Sequence, residues 1–223
     1  MIVVMGDGSG WVTEEEMIEV DRVMVHDLGI ELIQMMENAG RELAELALER
    51  YEPSSVVVCA GSGGNGGGGL VAARHLANQG VTVSVTLTRG DVAGVPGHQL
   101  SILRRMGVPI VDDPPDPELW IDAVIGYSLR DAPRGRAAKL IDRMKGSVSP
   151  VLSLDVPSGV DATTGATPGA AVIADATLTL AAPTTGLRGS ASVGALFVAD
   201  LSVPPSVFEA LGHPAPVFGA RET

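Results

Sequence analysis

Short apolar runs alternate along this chain with longer stretches whose apolar residues recur at helical spacing. The first helical stretch opens with Thr13, Glu14, Glu15 and Glu16, a capping-box pattern that places acidic residues where the helix dipole favours them. It predicts a helix over residues 14–27. A second amphipathic stretch predicts a helix over residues 31–51, which Pro53 brings to an end.

Beyond Pro53 the pattern is typical of βαβ units built around a parallel sheet. The predicted strands are residues 56–60, 81–87, 108–111, 119–125, 151–154, 176–180 and 195–198. The predicted helices are residues 70–78, 99–106 and 133–145, with a short one after Pro204 and Pro205. We therefore expect residues 1–223 to form one α/β domain, a Rossmann-like three-layer αβα sandwich with a mostly parallel central sheet.

Composition narrows the class of protein. No apolar run approaches the roughly 20 residues of a membrane-spanning helix, so we expect a soluble, cytoplasmic protein with no membrane partner. The net charge of -12, from 27 acidic and 15 basic residues, disfavours binding to nucleic-acid phosphates. Cys59 is the single cysteine, which excludes an internal disulfide and a cysteine cluster for zinc.

The most distinctive segment is residues 61–69, in which seven of the nine residues are glycine. It follows a predicted strand and precedes a predicted helix, so its uncovered N–H groups and the helix N-terminus could cradle a phosphate. Gly61, Gly63 and Gly66 match GxGxxG in that context, and Arg89 and Asp91 follow the next strand as candidates for a ribose. The alternative is a flexible connection without a ligand.

Two aspartates stand at the carboxyl ends of later strands, where open α/β sheets bind ligands. Asp122 interrupts an apolar strand, and therefore either has hydrogen-bond partners or lies near an ion. Asp155 ends a strand and is followed by Pro157, Ser158 and Gly159. A carboxyl group fixed by such a turn is suited to general acid or base catalysis, although it could also simply organise its own turn. We predict that the strand ends at Ala60, Ile125 and Asp155 open into one cleft.

Taken in order, the loops resemble the YjeF N-terminal-domain family of NAD(P)HX epimerases. The resemblance is strongest over residues 11–200 and is carried by residues 36–41, 63–76, 122–128, 154–161 and 174–177. It implies an isomerase of metabolite repair that interconverts the R and S forms of hydrated NADH and NADPH, called NAD(P)HX. A stereospecific dehydratase then restores the cofactor. This chain has no room for such a domain, so a separate dehydratase is implied, and a homodimer is expected.

The resemblance also assigns roles to residues. It implies that Asp155 is the catalytic acid/base. The positions that it implies for dinucleotide binding lie on three loops and are Gly64, Asn65, Gly66, Gly67, Gly68, Gly126, Tyr127, Ser128, Leu129, Arg130 and Asp155. It further implies that Asn65, Asp122 and Ser158 bind a potassium ion, for which oxygen ligands are appropriate.

Two positions depart from the family pattern GxGNNGGDG. Gly64 replaces an asparagine, and Gly68 replaces an aspartate that lies beside the substrate. The second change leaves open a non-catalytic version of the domain that binds dinucleotide as a scaffold. A third reading is an NAD(P)-dependent oxidoreductase, for which the sequence offers no clear catalytic His or Tyr.

Overall fold

The computed structural model describes residues 2–4 and 10–218, with side chains from residue 10 onward. The strands are β1 (Ile2–Val4), β2 (Ser55–Ala60), β3 (Thr82–Leu87), β4 (Leu119–Ala123), β5 (Val151–Leu154), β6 (Ala176–Leu180) and β7 (Ala195–Ala199). The α-helices are α1 (Glu14–Arg22), α2 (Leu32–Tyr51), α3 (Gly64–Asn78), α4 (Gly94–Arg105), α5 (Gly135–Lys145) and α6 (Pro205–Ala210). In this part of the chain, no helix is both long enough and apolar enough to cross a membrane.

The strands form a seven-stranded sheet in the order β1-β7-β6-β5-β4-β2-β3. All neighbouring pairs are parallel except β1 with β7, which is antiparallel. The predicted mostly parallel α/β sandwich is confirmed. The chain passes from β2 to β3 on one side and returns to β4 on the other side of β2, so the switch point of the sheet lies between β2 and β4. Ligands of open α/β sheets bind at such a crevice.

Side chains of β2 alternate between the two faces of the sheet. Val56 and Val58 belong to the larger core, which contains apolar residues of α1, α2, α3, α4 and α6. Val57 and Cys59 belong to a smaller core with Ile141 and Met144 of α5. After Ser55 the strand is consequently apolar, as expected for a strand covered on both faces.

The capping box predicted for α1 is present. The Thr13 hydroxyl accepts a hydrogen bond from the Glu16 N–H at 3.2 Å, and the Glu16 carboxylate accepts one from the Thr13 N–H at 2.7 Å. The helix predicted over residues 14–27 is α-helical to Arg22 and continues as a π-helical turn over Val23–Asp27. The helix predicted over residues 31–51 is α2.

The prediction that the glycine segment is a loop was wrong for most of its length, because α3 begins at Gly64 rather than at residue 70. Several of these glycines allow the helix to pack closely against its neighbours. A Cβ on Gly66 would lie 1.9 Å from the Gly61 carbonyl oxygen, and one on Gly69 would lie 2.5 Å from Ala123 Cβ. The close packing at Gly66 and Gly69 outweighs the low helix propensity of glycine.

Several other elements also differ from the prediction. Residues 108–111 form one bridge, Val85 with Ile110, rather than a strand; Pro109 has no N–H for a ladder, and the proline-rich residues 112–117 follow. The strand predicted over residues 119–125 ends at Ala123, where the chain turns into the cleft. Helix α4 begins at Gly94 instead of residue 99, and the edge strand β1 was not predicted at all.

Candidate active site

The ends of β2, β4 and β5 converge as predicted. A Cβ placed on Gly126, after β4, would lie 2.5 Å from Asp155 Oδ2 and 3.2 Å from Asn65 Cγ. Residues from all three strand ends therefore surround one point. Any side chain on Gly126 would fill the space between Asn65 and Asp155.

Two cavities open at this edge of the sheet. The inner cavity, of about 150 Å³, is mostly apolar and contains Asp155; the outer one, of about 250 Å³, lies over the glycine segment and Thr88. They share Gly64, Asn65, Gly126 and Ser128. The arrangement provides an apolar chamber beside a carboxyl group and, next to it, the N-terminus of α3, which favours anions.

Asp155 is buried and has a left-handed backbone conformation, with φ of 69°. Its N–H donates to the Leu178 carbonyl oxygen at 2.7 Å, and its Oδ2 accepts the Tyr127 N–H at 2.7 Å. Burial raises the pKa of Asp155 to about 7; the Tyr127 N–H opposes this shift and the charge of Asp21 adds to it. Both protonation states are therefore accessible near neutral pH.

Asp122 is buried and fully hydrogen-bonded. Its carboxylate accepts the Ser158 N–H at 2.8 Å, the Ser153 hydroxyl at 2.8 Å, the Ser158 hydroxyl at 2.5 Å and the Val124 N–H at 3.3 Å. Burial raises its pKa, while the bonds from Ser158 and Ser153 lower it. The sequence left open whether Asp122 has hydrogen-bond partners or lies near an ion, and the structure shows the hydrogen-bond partners. Through them Asp122 connects the loop after β4 to the loop after β5.

Asn65 differs from Asp122 in having no hydrogen-bond partner. Its amide nitrogen and oxygen are both buried, and no donor or acceptor among the described residues reaches them. A buried amide group normally has partners. An amide oxygen is a type of ligand that suits a hard monovalent cation.

The other residues predicted to bind dinucleotide fall into three groups. Those that line one or both cavities are Gly64, Gly66, Gly68, Gly126, Tyr127 and Ser128. Gly67 packs against Met36 and Pro96. Leu129 is buried away from both cavities, and Arg130 has a side chain 70% exposed that pairs with Glu14 at 2.7 Å. Arg89 and Asp91 are exposed beyond the end of β3.

Gly68 deepens the inner cavity on the side of α3. A Cβ there would lie 2.8 Å from Leu154 Cδ2, the flexible end of a side chain that also lines the cavity. An aspartate at this position would therefore have to displace Leu154. Where the family pattern has a carboxylate, this chain has the apolar side chain of Leu154 next to Gly68.

Sequence reasoning missed the contribution of α1 and α2. Asp21 and Met17 of α1 line the inner cavity, as do Met35 and Met36 of α2. A signal for Asp21 was present, because it stands four residues after the buried Met17 and so shares its helix face. A carboxylate on an apolar helix face indicates a special environment.

The burial of Asp155 predicts a pH dependence of stability. Between about pH 4, the pKa of an unfolded-chain aspartate, and pH 7, the folded protein retains a proton that the unfolded chain has lost. The free energy of unfolding therefore falls as pH rises through this window, by at most about 4 kcal/mol. Asp155→Asn removes this contribution. In urea unfolding, the free energy of unfolding of the variant should therefore rise relative to that of wild type between pH 5 and pH 8.

Asp142→Asn, on the exposed side of α5, is the control and should follow the wild-type pH dependence. Parallel stability curves for wild type and Asp155→Asn would contradict the raised pKa of Asp155.

The chain is similar in sequence to one family of known proteins. Residues 32–186 match the family model described as YjeF-related protein N-terminus. An NAD(P)H-hydrate epimerase from Dehalogenimonas lykanthroporepellens is 50% identical over 211 residues, which cover 90% of this chain and 85% of the relative. One from Limosilactobacillus fermentum is 35% identical, covering 85% of this chain and 95% of the relative.

Longer relatives and a solved structure extend the comparison. A bifunctional NAD(P)H-hydrate repair enzyme Nnr from Hyperthermus butylicus is 41% identical to this chain, which spans 36% of its length. The crystal structure of yeast ynu0 superposes with a TM-score of 0.83 at 23% identity, covering 96% of this chain and 97% of the yeast chain, and supports the fold. The chain belongs to the YjeF-related protein N-terminus family.

Proposed function

We propose that this chain is an NAD(P)H-hydrate epimerase, which interconverts the R and S forms of hydrated NADH and NADPH. The observation that carries the proposal is Asp155, a buried carboxyl group on an apolar cavity with a pKa of about 7. The names of relatives that cover most of this chain support the same activity.

The reaction requires making and breaking a bond between carbon and oxygen. Protonated Asp155 donates its proton to the hydroxyl group on the ring carbon next to the ring nitrogen. The carbon–oxygen bond breaks, water leaves, and the nitrogen lone pair forms a double bond to the carbon, which becomes planar. Water then adds to either face, and the proton that it releases restores the acid form of Asp155.

The environment of Asp155 suits both halves of this cycle. A general acid that must also act as a base works best with a pKa near the operating pH. The Tyr127 N–H orients the carboxylate. The negative charge that Asp155 carries after it has given up its proton stabilises the cationic ring beside it. The apolar side chains of the inner cavity receive the ring, and the outer cavity at the N-terminus of α3 receives the diphosphate.

We also infer that a potassium ion binds at Asn65, Asp122 and Ser158. The support is the buried Asn65 amide without a partner and its position beside Gly126, in the loop that follows Asp122. Ser158, from the loop after β5, is hydrogen-bonded to Asp122. A bound cation would neutralise negative charge from Asp122 and from the ligand's diphosphate.

The replacement of the family aspartate by Gly68 is compatible with the proposed activity, because the hydrogen bond between the Tyr127 N–H and Asp155 does not involve residue 68. A dehydratase on a separate chain would consume the S epimer, since the bifunctional relatives combine two activities in one longer protein. The homodimer and the cytoplasmic location remain predictions.

The activity is tested by incubating the purified protein with NADHX depleted of its S epimer and following the return of that epimer by chromatography. We expect a rate well above spontaneous epimerisation, and a loss of about 10²-fold or more in Asp155→Asn. Asp142→Asn should retain the wild-type rate.

Saturable NADH binding by wild type without epimerisation above background would instead establish the scaffold version of the domain. A catalytic rate in Asp155→Asn equal to that of wild type would remove the acid/base role from Asp155.

The cation site is tested by measuring dinucleotide binding in potassium chloride and in tetramethylammonium chloride at equal ionic strength. We expect several-fold tighter binding by wild type in potassium, and the same affinity in both salts for Asn65→Ala, which lacks the amide oxygen. Asn78→Ala, at the exposed end of the same helix, should behave as wild type does. Equal wild-type affinity in both salts would argue against a potassium site.

A further inference from the structure

Asp21 is the second carboxylate of the inner cavity, and it takes no part in the proposed reaction. It lies in the last turn of α1 and lines the same cavity as Asp155. Burial raises its pKa, and a hydrogen bond from the Tyr127 hydroxyl opposes that shift. Because most carboxylates in proteins are exposed to water, a carboxylate that lines an apolar cavity suggests a specific role.

Tyr127 connects the two carboxylates directly. Its backbone N–H donates to Asp155 Oδ2 at 2.7 Å, and its hydroxyl donates to Asp21 Oδ2 at 2.5 Å. One residue therefore holds Asp155 by its backbone and is itself held by Asp21 through its side chain. Burial, followed by the charge of Asp21, raises the pKa of Tyr127, so the hydroxyl keeps its proton and remains the donor.

Helix α1 is fastened to the rest of the domain at its first turn. Glu16 accepts hydrogen bonds from Thr13 and interacts with His213 at 2.9 Å, and Glu14 pairs with Arg130. The Glu14 N–H also donates to the Thr163 hydroxyl at 3.0 Å. Asp21, one turn further along, is therefore presented to Tyr127 from an anchored helix.

We propose that Asp21 is a positioning residue of the epimerase: through the Tyr127 hydroxyl it fixes the N–H that orients Asp155, and it places a second negative charge beside that carboxyl group. The inference rests on the proposed function. Around Asp155, α1 contributes the charge of Asp21, the loop after β4 contributes Tyr127, and α3 contributes the uncharged Asn65. Glu14 is a further charge near Tyr127.

Two variants separate the hydrogen bond from the charge. Asp21→Asn keeps an oxygen that can accept the Tyr127 hydroxyl but removes the charge. Tyr127→Phe keeps the charge of Asp21 and the N–H at residue 127 but removes the hydroxyl. Glu15→Gln, which removes a charge from an exposed position of the same helix, is the matched control.

The test follows the titration of the Asp155 carboxyl carbon by ¹³C NMR, with its signal assigned by its loss in Asp155→Asn, and the pH profile of kcat/KM. In Asp21→Asn we expect the Asp155 titration and the kinetic inflexion to move together to lower pH. In Tyr127→Phe we expect the inflexion to stay near that of wild type while kcat falls about tenfold, because Asp155 is less well oriented. Glu15→Gln should reproduce wild type in both measurements.

The NMR titration keeps this inference separable from the proposed function, since it requires no turnover. An Asp155 titration in Asp21→Asn that is identical to wild type would overturn the charge effect, and an unchanged kcat in Tyr127→Phe would overturn the positioning effect. An inactive wild type whose Asp155 titration still depends on Asp21 would contradict the epimerase assignment instead.

Discussion

The hydrogen bonds of Asp122 are the interaction on which the site depends. One buried carboxylate accepts bonds from Val124, Ser153 and Ser158, and so joins the loop after β4 to the loop after β5. The first loop carries the Tyr127 N–H and the second carries Asp155, so the tie between them sets the distance across which that N–H meets the carboxylate. A buried charge that loses its partners is costly, which makes this geometry stiff.

Burial raises the pKa of Asp155 and, at neutral pH, lowers the stability of the folded protein. In water an aspartate is ionised at neutral pH and is a poor acid, whereas the apolar cavity and the nearby Asp21 keep a proton on Asp155 up to about pH 7. The same desolvation that makes the group reactive makes the ionised form unfavourable in the folded protein. The Tyr127 N–H limits this effect and fixes the direction in which the proton is presented.

The sequence predicted those features that depend on local pattern. Alternating apolar runs gave the sandwich, and the capping residues Thr13 and Glu16 gave the start of α1. It failed where tertiary packing overrides local preference: residues 64–69 are helical despite their glycines, and Gly66 and Gly69 leave room for the close approach of α3 to Gly61 and Ala123. Asp21 was missed because its hydrogen-bond partner, Tyr127, is 106 residues away; the position of Asp21 on the helix face of Met17 does not identify that partner. Asp122 was found, but only the structure shows that its partners come from both loops.

The central claim is that Asp155 breaks and remakes the carbon–oxygen bond of the hydrated ring. It is tested most directly by epimerisation in ¹⁸O-labelled water, with the label in the substrate hydroxyl measured by mass spectrometry for wild type and Asp155→Asn. We expect wild type to incorporate ¹⁸O at least as fast as it interconverts the epimers, because water that adds back to the original face also brings in the label, and we expect both processes to slow together in the variant. Enzymatic epimerisation that leaves the original oxygen in place would contradict the claim.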